Sequence, residues 1–97
     1  MTVRYARRAR ADIEAIFDYI DRHNKAGARN VVAAIKKTAD LLGAYPGAGR
    51  ATDIANVRVI PLVTYPYLLY YTIKDDTVVI IHVRHGLREL PDVEDLS

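Results

Sequence analysis

Residues Tyr65–Leu90, YPYLLYYTIKDDTVVIIHVRHGLREL, decide the fold. Two runs rich in β-branched and aromatic side chains, Tyr67–Lys74 and Thr77–His85, flank the polar pair Asp75-Asp76. Rings and branched side chains suit a pleated, half-buried surface, and acidic turn residues tolerate the backbone angles of a tight reversal. The spacing therefore predicts a β-hairpin. Its second run ends in Arg84, His85, Gly86 and Arg88. An apolar strand that delivers two arginines and a histidine to its own end marks that end as a place to look for function.

Upstream, Val57–Thr64 (VRVIPLVT) reads as another strand, and Pro61, which has no amide proton to give a ladder, puts it near an edge or a bulge. Before it lies Gly43–Arg50, GAYPGAGR, with three glycines and a proline, which predicts a loop. These glycines follow a helix and no Lys-Ser/Thr comes after them, so they do not form a nucleotide-binding loop. From about Ala6 the apolar positions Ala9, Ile13, Ile16, Phe17 and Ile20 recur at helical spacing, with Asp18 placed to meet Arg22 one turn later. His23-Asn24 closes this helix, since asparagine tolerates a left-handed terminal residue. A second helix runs from about Ala26 to Leu42 on the stripe Ala28, Val31, Val32, Ile35, Ala39 and Leu42. The short connection makes the two helices antiparallel. Thr2–Tyr5 alternates and fits an edge strand. The order is β-α-α-β-β-β, an α+β fold with an N-terminal helix hairpin packed on one face of an antiparallel sheet.

Ninety-seven residues, 51% of them apolar and 27% charged, make one globular domain, residues 1–97. The sequence has no long apolar run and no basic-then-apolar leader, so neither a membrane span nor a secretory signal is expected. With no cysteine, the fold stands on packing alone, which suits a reducing cytoplasm. The net charge of +2 is unevenly spread: the C-terminal tail 89–97 holds four acids and no base, which leaves +6 on the preceding residues. Such a body invites an anionic partner, or its own tail folded back.

Strand alternation then proposes a site. If Val79, Ile81 and Val83 face the helices, His82 and Arg84 face away. By the same rule Val57, Val59 and Val63 point inward and Arg58 outward. Arg58, His82 and Arg84 would converge on the open face of the sheet, with tyrosines from Tyr65, Tyr67, Tyr70 or Tyr71 among them. Arginines interleaved with rings grip phosphates and stack bases, or hold an acidic peptide. His23, His82 and His85 lack the spacing of a metal-ligand set, and no cofactor is implied. The sole serine is Ser97, so a serine nucleophile is not expected. Arginine, histidine, tyrosine and carboxylates suit phosphodiester cleavage better than acyl transfer.

Several of these segments, in this order, resemble the RelE/ParE toxins of bacterial type II toxin–antitoxin systems. Asp12-Ile13 with Ile16, Tyr19 and Ile20 is similar to that family's first helix. The loop Pro46-Gly-Ala-Gly-Arg50, then Arg58 and the strand around Tyr70 and Tyr71, continue the likeness, and Val83–Arg88 is similar to the last strand and its exit. The resemblance implies a cytoplasmic toxin wrapped by a cognate antitoxin in a hetero-oligomer, with no membrane partner. It also implies one of two targets. RelE-like members cut messenger RNA on the ribosome; ParE-like members poison DNA gyrase. Here the central strands carry Arg58 but no lysine before Lys74, and neither tyrosine nor histidine follows Arg88, which favours the ParE-like branch. The binding residues implied are Arg50, Arg58, Tyr70, His82, Arg84, His85 and Arg88. An endoribonuclease would instead use Arg58, Arg84, His85 and Arg88. A third alternative is a non-toxic, degenerate member of the family.

Overall fold

A computed structural model describes residues 1–86 of the chain; Arg88 and the acidic tail 89–97 lie outside the described residues. The elements are β1 (Thr2–Tyr5), α1 (Arg7–Asp21), α2 (Lys25–Ala44), β2 (Arg50–Ala51), β3 (Arg58–Pro61), β4 (Tyr67–Lys74) and β5 (Thr77–His85). The strands form one sheet in the order β1-β5-β4-β3-β2. Its hairpin β4–β5 spans the residues that composition predicts. Asp75 and Asp76 both take left-handed angles, φ 50° and 58°, whose twist matches that of the flanking strands.

The helix hairpin covers one face. Ala9 of α1 and Val31, Ile35, Ala39 and Leu42 of α2 are buried with Leu69, Tyr71, Val78, Ile80 and Val83 of the sheet. Asn24 does not end α1 in a left-handed conformation. It is extended (φ −157°) and caps the start of α2, its side chain accepting from the Gly27 amide at 2.8 Å. The i,i+4 ion pairs among the described residues are Arg8–Asp12 and Lys36–Asp40, and the expected Asp18–Arg22 pair does not form.

Alpha2 runs two residues beyond its predicted end because Gly43 is a helix residue. A methyl there would stand 2.9 Å from the Met1 carbonyl oxygen, so glycine is what lets β1 pack on the last turn. The Met1 ammonium donates to the Gly43 carbonyl at 2.8 Å. The glycine loop after the helix is likewise a packing device. Tyr71 Oη accepts from the Gly49 amide and donates to the Pro46 carbonyl, both at 2.8 Å, and Arg58 donates to the Gly49 carbonyl at 2.6 Å.

Two expectations need correcting. The sheet is mixed, because β1 runs parallel to β5 while its other pairs are antiparallel. A strand joined to its neighbour through the whole intervening chain escapes the reversal that a tight turn imposes. The inward set of β5 is also not Val79, Ile81 and Val83. Tyr70 pairs with His82 but Tyr71 pairs with Ile80, so Ile81 is an extra residue in a bulge. The inward residues are Val78 and Ile80 before it and Val83 after it.

Candidate interface on the open sheet face

Cross-strand partners share a face, so the register assigns every strand residue. Tyr71 and Leu69 are in the core under the helices. Their partners on β3, Arg58 and Ile60, therefore lie on the helix side. Tyr70 points the other way, together with Val59 and Arg50 on one side and His82 on the other. Leu68 and Arg84 share that open face. The expected cluster of Arg58, His82 and Arg84 is thus not formed: Arg58 is half-buried on the helix side of the sheet, holding the 45–49 loop, and Arg84 is on the opposite side. Arg58 was misplaced because Val59, taken as a core valine, is buried against Tyr70 on the open face. His85 also faces the helix side, pairing with Tyr67, and their rings meet edge-on at 5.4 Å.

What the open face does gather is charge of one sign. Arg50 and Arg84 flank Tyr70. Arg4, opposite Val79, and Lys74, opposite Thr77, extend the array toward the hairpin end. Among the described strand residues no carboxylate lies on this face. Burial raises the Tyr70 phenol above its ordinary pKa, and the nearby Arg84 and Arg50 pull it back. The tyrosine therefore stays a neutral donor between two cations.

Where β1 stops beside β5 the face turns into a cleft. Beta1 stops pairing at Ile80, and the edge beyond it is met by α1. Asp12 fills the gap: its Oδ2 accepts from the Val83 amide at 3.0 Å and is bonded to His82 Nδ1, while its Oδ1 accepts from Arg8 Nε at 3.1 Å. His82 is 2% exposed and its ring lies beside Tyr70. Burial holds the imidazole below its ordinary pKa. The hydrogen bond and charge of Asp12 oppose this, and Arg8 and Arg84 add to it. A neutral ring donating from Nδ1 leaves Nε2 an acceptor, and Arg84 Nη1 stands 3.5 Å from it. The adjoining cleft, about 700 Å³, is bounded by Arg8, Asp12, Tyr19, Tyr67, Arg84 and His85.

Asp12 and Arg8 were missed as site residues, as were Arg4 and Lys74. A signal for Asp12 was present, since it falls three residues after Ala9 and four before Ile16, putting a carboxylate on the apolar stripe of α1. On the other side of α1 an apolar groove of about 450 Å³ runs between the helices, lined by Tyr5, Ile13, Phe17, Val32 and Ile35. Among the described residues no helix is long and apolar enough to cross a membrane.

Comparison with known proteins places this architecture. The chain is 37% identical over 81 residues to Toxin RelE2 of Caulobacter vibrioides, covering 84% of this chain and 90% of that one. It is 34% identical over 91 residues to Putative toxin Y4kP of Sinorhizobium fredii, covering 94% of each. A solved structure of a chromosomal ParDE toxin–antitoxin system from P. aeruginosa superposes with a TM-score of 0.78 at 26% identity, covering 88% of this chain and 95% of that one. The intact RelBE toxin–antitoxin complex of E. coli shares the fold, with a TM-score of 0.63 at 20% identity over 90% of this chain and 98% of that one. A model of the family described as ParE toxin of type II toxin-antitoxin system, parDE, matches residues 3–90, so the chain belongs to that family and is the toxin component of a type II toxin–antitoxin system, the part that a cognate antitoxin neutralises.

Proposed function

We propose that the protein arrests growth by binding DNA gyrase through its basic open face, acting in the cytoplasm by occupancy and not by cleavage. The observation that carries this reading is that the groups a nuclease needs are not gathered as one set. Arg84 and His85 both line the cleft, but Arg58 lies on the helix side holding the 45–49 loop, and His82 is buried with Nδ1 committed to Asp12. Metal-free phosphodiester cleavage needs a base, an acid and a cation around one phosphate. An array of cations set around a tyrosine instead supplies the complementary potential that steers and orients a large partner. Arg50 and Arg84 form its centre, on either side of the buried Tyr70 ring, with Arg4 and Lys74 at its hairpin end.

The antitoxin takes a different surface in this reading. The groove between α1 and α2 is apolar at Ile13, Phe17, Val32 and Ile35, with Arg10, Glu14 and Lys36 along it. Such a groove suits the apolar face of an amphipathic helix in a toxin–antitoxin hetero-oligomer.

One observation favours the second reading, a ribosome-dependent endoribonuclease acting on messenger RNA: a basic imidazole nitrogen stands beside Arg84. Purified protein separates the two. The expected result is inhibited supercoiling by gyrase with transcripts left intact in a translating extract. Codon-linked transcript cleavage with normal supercoiling would overturn it.

A further inference from the structure

We propose that Arg58 is a positioning residue for Arg50: from the helix side of the sheet it clamps the Gly49 peptide, which sets Arg50 on the open face. This role rests on the reading that the open face meets the target, and it fixes one of that face's central cations.

Strand β2 is no more than Arg50–Ala51, and it lies at the outer edge of the sheet with β3 as its one neighbour. Two residues make too short a ladder to hold themselves at an edge. The bonds just before the strand supply the rest. The Gly49 amide donates to Tyr71 Oη at 2.8 Å, and the Gly49 carbonyl accepts from Arg58 Nη1 at 2.6 Å. Tyr71 is a firm anchor, because its ring is fully buried and its hydroxyl also donates to the Pro46 carbonyl. The Gly49 carbonyl and the Arg50 amide belong to one rigid peptide plane. Holding that carbonyl from one side of the sheet therefore limits the direction in which Arg50 leaves the chain on the other. Glycine at 49 is part of the clamp. A methyl there would stand 2.6 Å from Tyr71 Oη and 2.9 Å from the Val59 carbonyl oxygen.

The two arginines have opposite surroundings. Arg58 is half-buried, and among the described residues its guanidinium meets a carbonyl and no carboxylate. A charged donor bonds that carbonyl more strongly than a neutral one would. Arg50 is exposed opposite Val59, close enough for its charge to act on the Tyr70 phenol. Among the described residues its side chain makes no ion pair. Its placement therefore comes from its backbone, and a backbone fixed in advance is one that a partner need not order.

Two variants of the full chain test this. Arg58→Met keeps the stem and removes the donor; Gly49→Ala displaces the clamp and removes no charge. Amide hydrogen exchange reads the clamp directly. Both variants should speed exchange at position 49 and at Thr52, whose amide bonds the Val57 carbonyl at 3.1 Å, by at least tenfold, with the β5 amides close to the parent rate. Unchanged exchange at 49 and 52, or the same acceleration throughout the sheet, would overturn the proposal whatever the protein's target.

Coupling to Arg50 is read from affinity for heparin, a sulfated polyanion, and separately from gyrase inhibition. Each variant should weaken heparin binding by about threefold in the parent background and by little in the Arg50→Gln background. Equal losses in both backgrounds, or none in either, would show that the clamp does not act through Arg50. If the parent fails to inhibit gyrase while the heparin cycle still couples, the gyrase reading falls and the clamp stands. If the parent inhibits gyrase and the heparin cycle does not couple, the clamp falls alone.

Discussion

Tyr71 buries its ring completely and spends its hydroxyl on the loop that follows α2, taking the Gly49 amide and giving to the Pro46 carbonyl. Tyr71→Phe preserves the packing and strands those loop groups, so it should cost about 1–3 kcal/mol in denaturant unfolding. A second residue-scale prediction concerns acid. Because the His82 ring is held below its ordinary pKa, the unfolded chain binds its proton first as the pH falls through about 6.5. Stability should therefore be whole above that value and decline below it, until the folded ring takes up a proton as well. The groups facing the ring are Asp12 and Arg8 from α1, Tyr70 from β4 and Arg84 from β5. Unfolding midpoints at about pH 7.5 and about pH 5.5 should show a smaller acid loss in His82→Phe than in the parent. An equal loss would place the acid sensitivity elsewhere.

At the scale of elements, the hairpin β4–β5 was readable because Tyr67–Lys74 and Thr77–His85 are dense in strand-forming side chains and the turn between them is polar at both positions. The helices were readable for the same kind of reason, their apolar stripes being long. What could not be read was how strands meet. Alternation assigns faces only while the ladder is regular, and the extra residue at Ile81 shifts every later side chain of β5. A β4 that is apolar on both parities offers no check, since Leu69, Tyr70 and Tyr71 are all buried. Arg58 then followed Val59 onto the wrong side. The two-residue β2 was too short to leave any pattern. The helix pair carries its own prediction. Phe17 lines the apolar groove and lies outside the main core, so Phe17→Glu should weaken antitoxin binding at least tenfold in a titration while leaving the unfolding midpoint close to the parent's. Unchanged affinity would move the antitoxin to another surface.

At the scale of the molecule, the charge of the described residues has a direction. The helices pair their cations and anions along their own surfaces, as in Lys36–Asp40, while the far side of the sheet is cationic at Arg4, Arg50, Lys74 and Arg84. Attraction from such a face is screened over roughly 8 Å at physiological ionic strength. Gyrase inhibition should therefore weaken with added salt, and Arg4→Ala with Arg50→Ala should both lower it and flatten that dependence. A salt response identical to the parent's would exclude the face as the contact surface.

The parallel pairing of β1 with β5 has a consequence for the order in which the protein can be completed. Among the described elements Thr2–Tyr5 comes first, and its seat is Thr77–Ile80 in β5, which comes last. Contacts so distant in sequence close late and slowly. A nascent chain that has the helix hairpin but not yet the final strand has no place for its own beginning, nor any side chain at position 84 to display. In the proposed reading, target binding therefore starts only once β5 has been made.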